Sequence, residues 1–298
     1  MIQRFLDYIA IERRLSPLTV TTYSNDLRLF ANFVERQSGV PFDATMVKSD
    51  DIRMWVLTLK NQGYGARNIA RKISALRSFW RYLLKMGLVS DNPTTKIITP
   101  KFSKPLPTTF REQEVERALE YNDDADDYRQ VFDSLVVDML YQTGMRRAEL
   151  LSLTLPRITL NGHGGELKVI GKRNKERIIP FGAELEQRIL HYLTVRRDLG
   201  ASSDGSFLVR ANGEAATAYD IYRAVKQSMA TSSTQTKLSP HVLRHTFAST
   251  LLNNGADINA VKALLGHANL NATQIYTHVT FEEKLKAYKQ AHPHAGEE

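Results

Sequence analysis

Residues 158–180 read ITLNGHGGELKVIGKRNKERIIP, and this stretch decides the fold class of the 298-residue chain. Short β-type runs are separated by Asn161-Gly162 and by a polar turn from Gly171 to Lys175, the pattern of a small antiparallel sheet. Lys172 falls on or beside the second turn. On both sides of this stretch the apolar residues recur at helical spacing, so the fold is expected to be mainly α with one small antiparallel β-sheet.

Upstream, Ile2, Phe5, Leu6 and Ile9 define a first helical face that should end before Ser16-Pro17, an N-cap followed by a first-turn proline. Val20, Tyr23, Leu27, Phe30 and Val34 continue as a second stripe. Ser49-Asp50-Asp51 is expected to cap a third helix carrying Ile52, Trp55 and Leu59. Ile69, Ile73, Leu76, Trp80 and Leu83 mark a fourth, which runs to about Gly87. Residues 1–92 thus read as a four-helix domain. Residues 93–107, PTTKIITPKFSKPLP, hold four of the ten prolines and three lysines and read as a linker. Its extended reach is enough to join two domains across a duplex about 20 Å wide. Residues 108–298 form the second domain, with helices expected over 111–121 and 129–154, the sheet, and helical periodicity again from 184 to 290. In that last part Asp257 is the expected N-cap and Gly266 the expected stop of one helix.

Composition narrows the function classes. The longest apolar runs are far shorter than the ~20 residues of a membrane span. The start, MIQRFLDYIAIERR, is interrupted by Arg4, Asp7 and Glu12 and lacks the apolar centre of a signal peptide, so a cytoplasmic location is expected. The absence of cysteine removes disulfides, thiolate metal sites and a cysteine nucleophile. The net charge is +8, and residues 1–92 carry 14 Lys/Arg against 8 Asp/Glu, or +6 of it. That balance suits a polyanion partner. On the fourth helix Arg67, Arg71, Lys72, Arg77, Arg81 and Lys85 meet almost no acid nearby in sequence. They read as an unpaired face for DNA phosphates and guanine edges, with Arg67, Arg71, Arg77 and Arg81 as the candidate contacts.

A second group of polar residues carries chemistry. In TGMRRAEL, Arg146 follows a Thr-Gly helix break and Glu149 lies three residues on. In SPHVLRHTFAS, His241 and Arg244 fall three apart after a Ser-Pro helix start, so they share a helix face. Tyr276 stands among polar neighbours in GHANLNATQIYTHV, nine residues after His267. The His241–His245 spacing lacks the glutamate of a zinc-protease helix, and no carboxylate cluster suits Mg²⁺, so no metal is expected. Two guanidiniums can neutralise a pentacoordinate phosphoryl transition state in place of a metal. A tyrosine activated by nearby positive charge can attack the phosphorus, and a lysine on a turn can protonate the leaving oxygen.

Taken in order, SPLTVTTYSNDL, TGMRRAEL, VIGKRNKERIIPFG, LSPHVLRHTFASTLLNNGAD and LLGHANLNATQIYTHV make the chain resemble the tyrosine recombinases over essentially its whole length, most of all their Xer branch. The resemblance implies a helical core-binding, SAM-like domain followed by an α+β catalytic domain. It implies that Arg146 and Arg244 clamp the scissile phosphate, that Lys172, rather than Lys175, is the general acid, and that Tyr276 is the nucleophile. His241 and His267 would bond the phosphate and manage the tyrosine proton. Arg173 departs from the glycine common in the family's hairpin turn.

The activity so implied is cleavage and rejoining of DNA through a 3′-phosphotyrosyl link and a Holliday junction, with no cofactor. Its partners would be a double-stranded target site, a tetramer formed with itself or a related recombinase, and an FtsK-type DNA translocase; its role would be chromosome-dimer resolution at cell division. The tail after residue 280 resembles a segment that docks into a neighbouring protomer. The alternatives are an integrase of a phage or conjugative element and a DNA-binding accessory protein without cleavage activity.

Overall fold

The computed structural model describes residues 1–102, 108–120, 127–171, 175–199, 205–266 and 290–292, and the chain divides into two compact units at Pro105–Leu106. The first unit is built from four helices. Helix α1 (Ile2–Asp7) runs into a π-helical turn over Tyr8–Glu12, then come α2 (Pro17–Ser38), α3 (Ser49–Asn61) and α4 (Ala66–Lys85). Helix α2 starts as its sequence dictates: the Ser16 side chain accepts the Thr19 N–H at 3.3 Å, Pro17 opens the first turn, and Gly39 ends the helix at φ 72°. At α3 the cap differs from expectation by one residue. Lys48 is the cap, its N–H bonded by Asp51 Oδ2 at 2.7 Å, while the Ser49 hydroxyl donates to the Pro93 carbonyl at 2.8 Å.

The apolar stripes close on an aromatic core. Phe30 lies 5.0 Å from Trp55 and 5.8 Å from Trp80, both edge-on, and Phe5, Ile73, Leu76 and Phe79 fill the space around them. Edge-to-face geometry sets the positive rim of one ring against the negative face of the next. The start of the proline-rich segment, expected as linker, joins this core. Ile97 and Thr94 are buried, and Arg77 donates to the Ile97 carbonyl at 2.6 Å and to Thr99 Oγ1 at 2.8 Å.

The second unit contains α5 (Glu112–Glu120), α6 (Tyr128–Thr143), α7 (Arg147–Leu151), a 3₁₀ turn (Leu155–Arg157), β1 (Ile158–Leu160), β2 (Gly164–Ile170), β3 (Glu176–Gly182), α8 (Ala183–Asp198), α9 (Ala218–Ser232), α10 (Pro240–Asn253) and α11 (Ile258–Leu265). The sheet is antiparallel in the order β1-β2-β3, with Leu167 opposite both Ile158 and Ile179. Its first turn is anchored by buried Glu186, whose carboxylate accepts the Gly162 and Gly164 N–H groups at 2.8 and 2.7 Å. Helix α6 is the buried spine, contacting α8, α9 and α10. Its polar residues are met by partners: Asp133 by Arg223 at 2.8 Å and Asp138 by Arg188 at 3.1 Å.

The helix expected over 129–154 is divided into α6 and α7. Gly144, at φ 58°, ends α6, and a Cβ there would lie 2.3 Å from Phe247 Cδ1 on α10. Only glycine satisfies both the backbone angle and that contact. Near the chain end, Ala291 and His292 are buried in their own unit. The Ala291 carbonyl accepts Asn254 Nδ2–H at 2.9 Å, and the His292 ring lies 5.3 Å from Tyr141 and 5.6 Å from Phe247.

The basic face of α4 is not unpaired, as expected from the sequence, because α2 supplies an acid from a distance. Asp26, 2% exposed, bonds Lys72 Nζ at 2.8 Å and takes both terminal nitrogens of Arg71. Lys72, itself 6% exposed, also lies 5.3 Å from the Tyr64 ring. Truncating Asp26 to alanine strands the buried Lys72 ammonium, and the first unit should lose about 3 kcal/mol, the cost of breaking a buried pair from one side. Urea unfolding midpoints measure this, and Asp26→Ala together with Lys72→Met should recover part of the loss.

Candidate active site

Helix α11 ends at Gly266 in the left-handed conformation (φ 62°), and three arginines from three other elements converge on that end. Arg146 precedes α7, and its position is set from both sides. Its N–H is bonded by Glu149 Oε2 at 2.7 Å, and its Nη1 reaches Glu149 Oε1 at 2.8 Å. The same guanidinium extends to the Leu265 and Gly266 carbonyls by longer bonds of 3.3 and 3.2 Å. Arg244, on α10, is buried; its fork bonds the Gly144 carbonyl and, at 2.7 Å, the Leu265 carbonyl. Arg177, on β3, donates from Nε to the Leu264 carbonyl at 2.8 Å. Its two terminal nitrogens form a bidentate pair with Glu149, both bonds 2.8 Å.

Three cations and one carboxylate thus leave a surplus of two positive charges beside the negative end of a helix dipole. Burial, followed by the Arg146 and Arg177 charges, lowers the Arg244 pKa to about 10, and Arg244 stays protonated at neutral pH. Burial by itself raises the Glu149 carboxyl; the bonds from Arg177 and Arg146 outweigh it and hold the pKa at about 2. Glu149 is therefore a fixed anion at any working pH.

His241 stands exposed in the first turn of α10, one turn before Arg244, with its ring 5.2 Å from that of His245. Burial, then the His241 and Arg244 charges, lower the His245 pKa. Among the described residues no three His, Asp or Glu side chains gather where they could hold a metal ion, and no helix is long and apolar enough to cross a membrane. Arg146 and Arg244, expected together, meet at one acceptor, the Leu265 carbonyl. Lys172, His267 and Tyr276 lie outside the described residues, as does Arg173. Lys175 is exposed, and its carbonyl accepts the Gly171 N–H at 2.8 Å across the β2–β3 turn.

This placement of two arginines coincides with a family match along the chain. Residues 108–283 match the phage integrase family, and residues 2–87 match the phage integrase N-terminal SAM-like domain. The chain belongs to the phage integrase family, the tyrosine recombinases. The tyrosine recombinase XerC of Oceanobacillus iheyensis is 39% identical over 298 residues, covering 99% of this chain and 96% of the relative. The XerC of Listeria innocua is 36% identical (98% and 97% covered), and the XerD of Pseudomonas aeruginosa 37% identical (98% and 97% covered). In fold, the chain is similar to the XerH site-specific recombinase bound to difH substrate before cleavage (TM-score 0.69, 23% identity, 96% and 84% covered). It is likewise similar to the Tn1549 transposon integrase in complex with circular intermediate DNA (TM-score 0.67, 22% identity, 96% and 97% covered).

In this recombinase the sequence reading missed Arg177. It was one cation among several in GKRNKERIIP, although strand alternation carried a signal: Arg177 shares the inward face of β3 with buried Ile179, while Ile178 between them is exposed. An arginine at an inward strand position calls for a buried partner, and Glu149 is that partner. On α4 the four candidate DNA contacts are unequal. Arg67 lies over the Phe102 ring at 5.4 Å, Arg71 is held by Asp26, Arg77 is tied to residues 97–99, and Arg81 is exposed.

Because the native pKa of Glu149 is depressed from 4.5 to about 2, its contribution is complete above pH ~5 and is lost as pH falls toward 2. The stability difference between this recombinase and its Glu149→Gln variant should shrink by about 3 kcal/mol across that window. Parallel urea titrations at stepped pH measure it.

Proposed function

We propose that this site-specific recombinase cuts and rejoins double-stranded DNA with Tyr276 as its nucleophile. The observation that carries the reading is the meeting of Arg146 and Arg244 at the Leu265 carbonyl, with Gly266 and then His267 next in the chain. Two guanidinium forks brought to one acceptor oxygen form a preorganised anion site, worth most where water is excluded. A DNA phosphate placed there can present two nonbridging oxygens to the two forks.

In this reading the Tyr276 oxygen attacks the phosphorus and a 3′-phosphotyrosyl ester forms. The bond to the 5′-oxygen breaks, and Lys172 supplies the proton that this oxygen takes up. His241 and His267 bond the phosphate and carry the tyrosine proton. One phosphodiester is exchanged for another of similar energy, so religation by an incoming 5′-hydroxyl follows without ATP, a metal or another cofactor. Arg67, Arg71, Arg77 and Arg81 are proposed as DNA-backbone contacts of the N-terminal unit, the exposed Arg81 making the least encumbered of these.

Near full-length similarity to proteins named XerC and XerD supports the further reading that two pairs of protomers, of this chain alone or with a related recombinase, act through a Holliday junction to resolve chromosome dimers at cell division. An FtsK-type translocase would be the activating partner in the cytoplasm. The fold shared with a transposon integrase keeps a second reading, an integrase of a mobile element using the same residues.

Incubation with nicked, fragmented host DNA, followed by capture and sequencing of SDS-resistant adducts, tests both chemistry and role. Adducts should gather at one partly palindromic site, persist in EDTA, and vanish in Tyr276→Phe while DNA affinity stays nearly unchanged. Surviving adducts in that variant would mean another nucleophile, and a site confined to an integrated element would favour the integrase.

A further inference from the structure

Arg177 is engaged at all three of its guanidinium nitrogens. Nε, Nη1 and Nη2 each donate at 2.8 Å, and the side chain is 9% exposed, against 35% for Arg146. Backbone encloses it closely: a Cβ on Gly266 would lie 3.1 Å from its Nη1, and one on Gly171 would lie 3.5 Å from the same atom. Its fork is committed to Glu149 and cannot also grip a phosphate. Arg146 is the reverse case. It has one short side-chain bond, to Glu149, and two long ones to carbonyls, so a substrate oxygen can displace the long pair at little cost.

The two arginines are joined through Glu149. Its Oε1 accepts from both guanidiniums, and its Oε2 accepts from Arg177 and the Arg146 N–H. With Arg177 present, the buried carboxylate is already neutralised, so the Arg146 charge stays available to substrate. Without Arg177, Glu149 would be a buried anion with Arg146 as its hydrogen-bonded cationic partner. It would then draw the Arg146 fork inward and compete with the phosphate for it.

We infer that Arg177 is a positioning residue for strand cleavage: it neutralises Glu149 and so leaves Arg146 free to bind the scissile phosphate, and its Nε fixes the end of α11. This rests on the proposed role of Arg146 at the phosphate. The fit is to a substrate phosphodiester acting through Arg146, with Arg177 never touching it.

A double-mutant cycle tests the coupling. Single-turnover adduct formation is followed on a nicked duplex carrying the site recovered from wild-type adducts, with DNA affinity and thermal midpoints measured in parallel. Arg177→Gln should slow adduct formation by about tenfold or more with DNA affinity nearly unchanged, yet in an Arg146→Ala background the same substitution should slow it by less than about twofold. Arg177→Lys, which keeps the charge and loses the fork, should fall between and show the same dependence on Arg146; it replaces Arg177→Gln in the cycle if that variant does not fold. Equal slowing in both backgrounds would reduce Arg177 to general structural support and overturn the inference, as would a wild-type rate in Arg177→Gln. Wild-type cleavage by Arg146→Ala would instead overturn the assignment of Arg146 itself, and the coupling with it.

Discussion

The second unit depends on a single buried carboxylate. Glu149 accepts four bonds, from the Arg146 backbone and side chain and from both arms of Arg177. It thereby ties the start of α7 to β3. Through Arg177 Nε and the carbonyl of Leu264 the same network reaches α11. An isolated ionised carboxylate in this position would cost far more than the fold can supply. With a bidentate guanidinium on one side and a backbone N–H on the other, the anion is stabilised so well that its pKa drops to about 2. Three elements distant in sequence are brought into register because this one charge has to be answered.

The arginines solve a second problem at the same time. The last carbonyls of a helix have no partners within it, and those of α11 are met by cations from elsewhere in the unit. Cations at a helix C-terminus are also favoured by its dipole. Arg244 shows how tightly this is arranged, since it bonds the Gly144 carbonyl with one arm and the Leu265 carbonyl with the other. The break between α6 and α7 and the end of α11 are therefore fastened to the same side chain. Gly144 permits it, because any side chain there would collide with Phe247, three residues beyond Arg244 on α10.

Local signals made much of the fold legible. Ser16-Pro17 opens α2, Asp257 and Gly266 bound α11, and the alternation around Gly171 marks the hairpin of β2 and β3. These are effects of a few neighbouring residues, which a linear reading captures. What it could not supply were pairings across long separations. Asp26 is 45 residues from Arg71 and looks like an ordinary surface acid on an amphipathic helix. Residues 93–99, PTTKIIT, look like linker in sequence, and the burial of Thr94 and Ile97 places them with the first unit. In the site, Arg146 and Arg244 could be proposed as partners from chemistry and family likeness. Arg177 could not, because its importance comes from lying opposite Glu149, not from its own neighbours.

The Asp26 clamp changes how α4 would meet a nucleic acid. Each phosphate neutralised by a mobile cation releases condensed counterions, and that release gives binding its salt dependence, at about 0.9 in the logarithmic slope per contact. Lys72 is sealed inside, Arg71 shares a carboxylate, and Arg77 also bonds residues 97 and 99 of its own chain. A helix with six cations in its sequence therefore releases ions as a much less charged one would. If α4 faces DNA, its hold relies less on bulk attraction and more on how well a stiff, prearranged surface matches the groove, a form of recognition that tolerates salt better and mismatched shape worse.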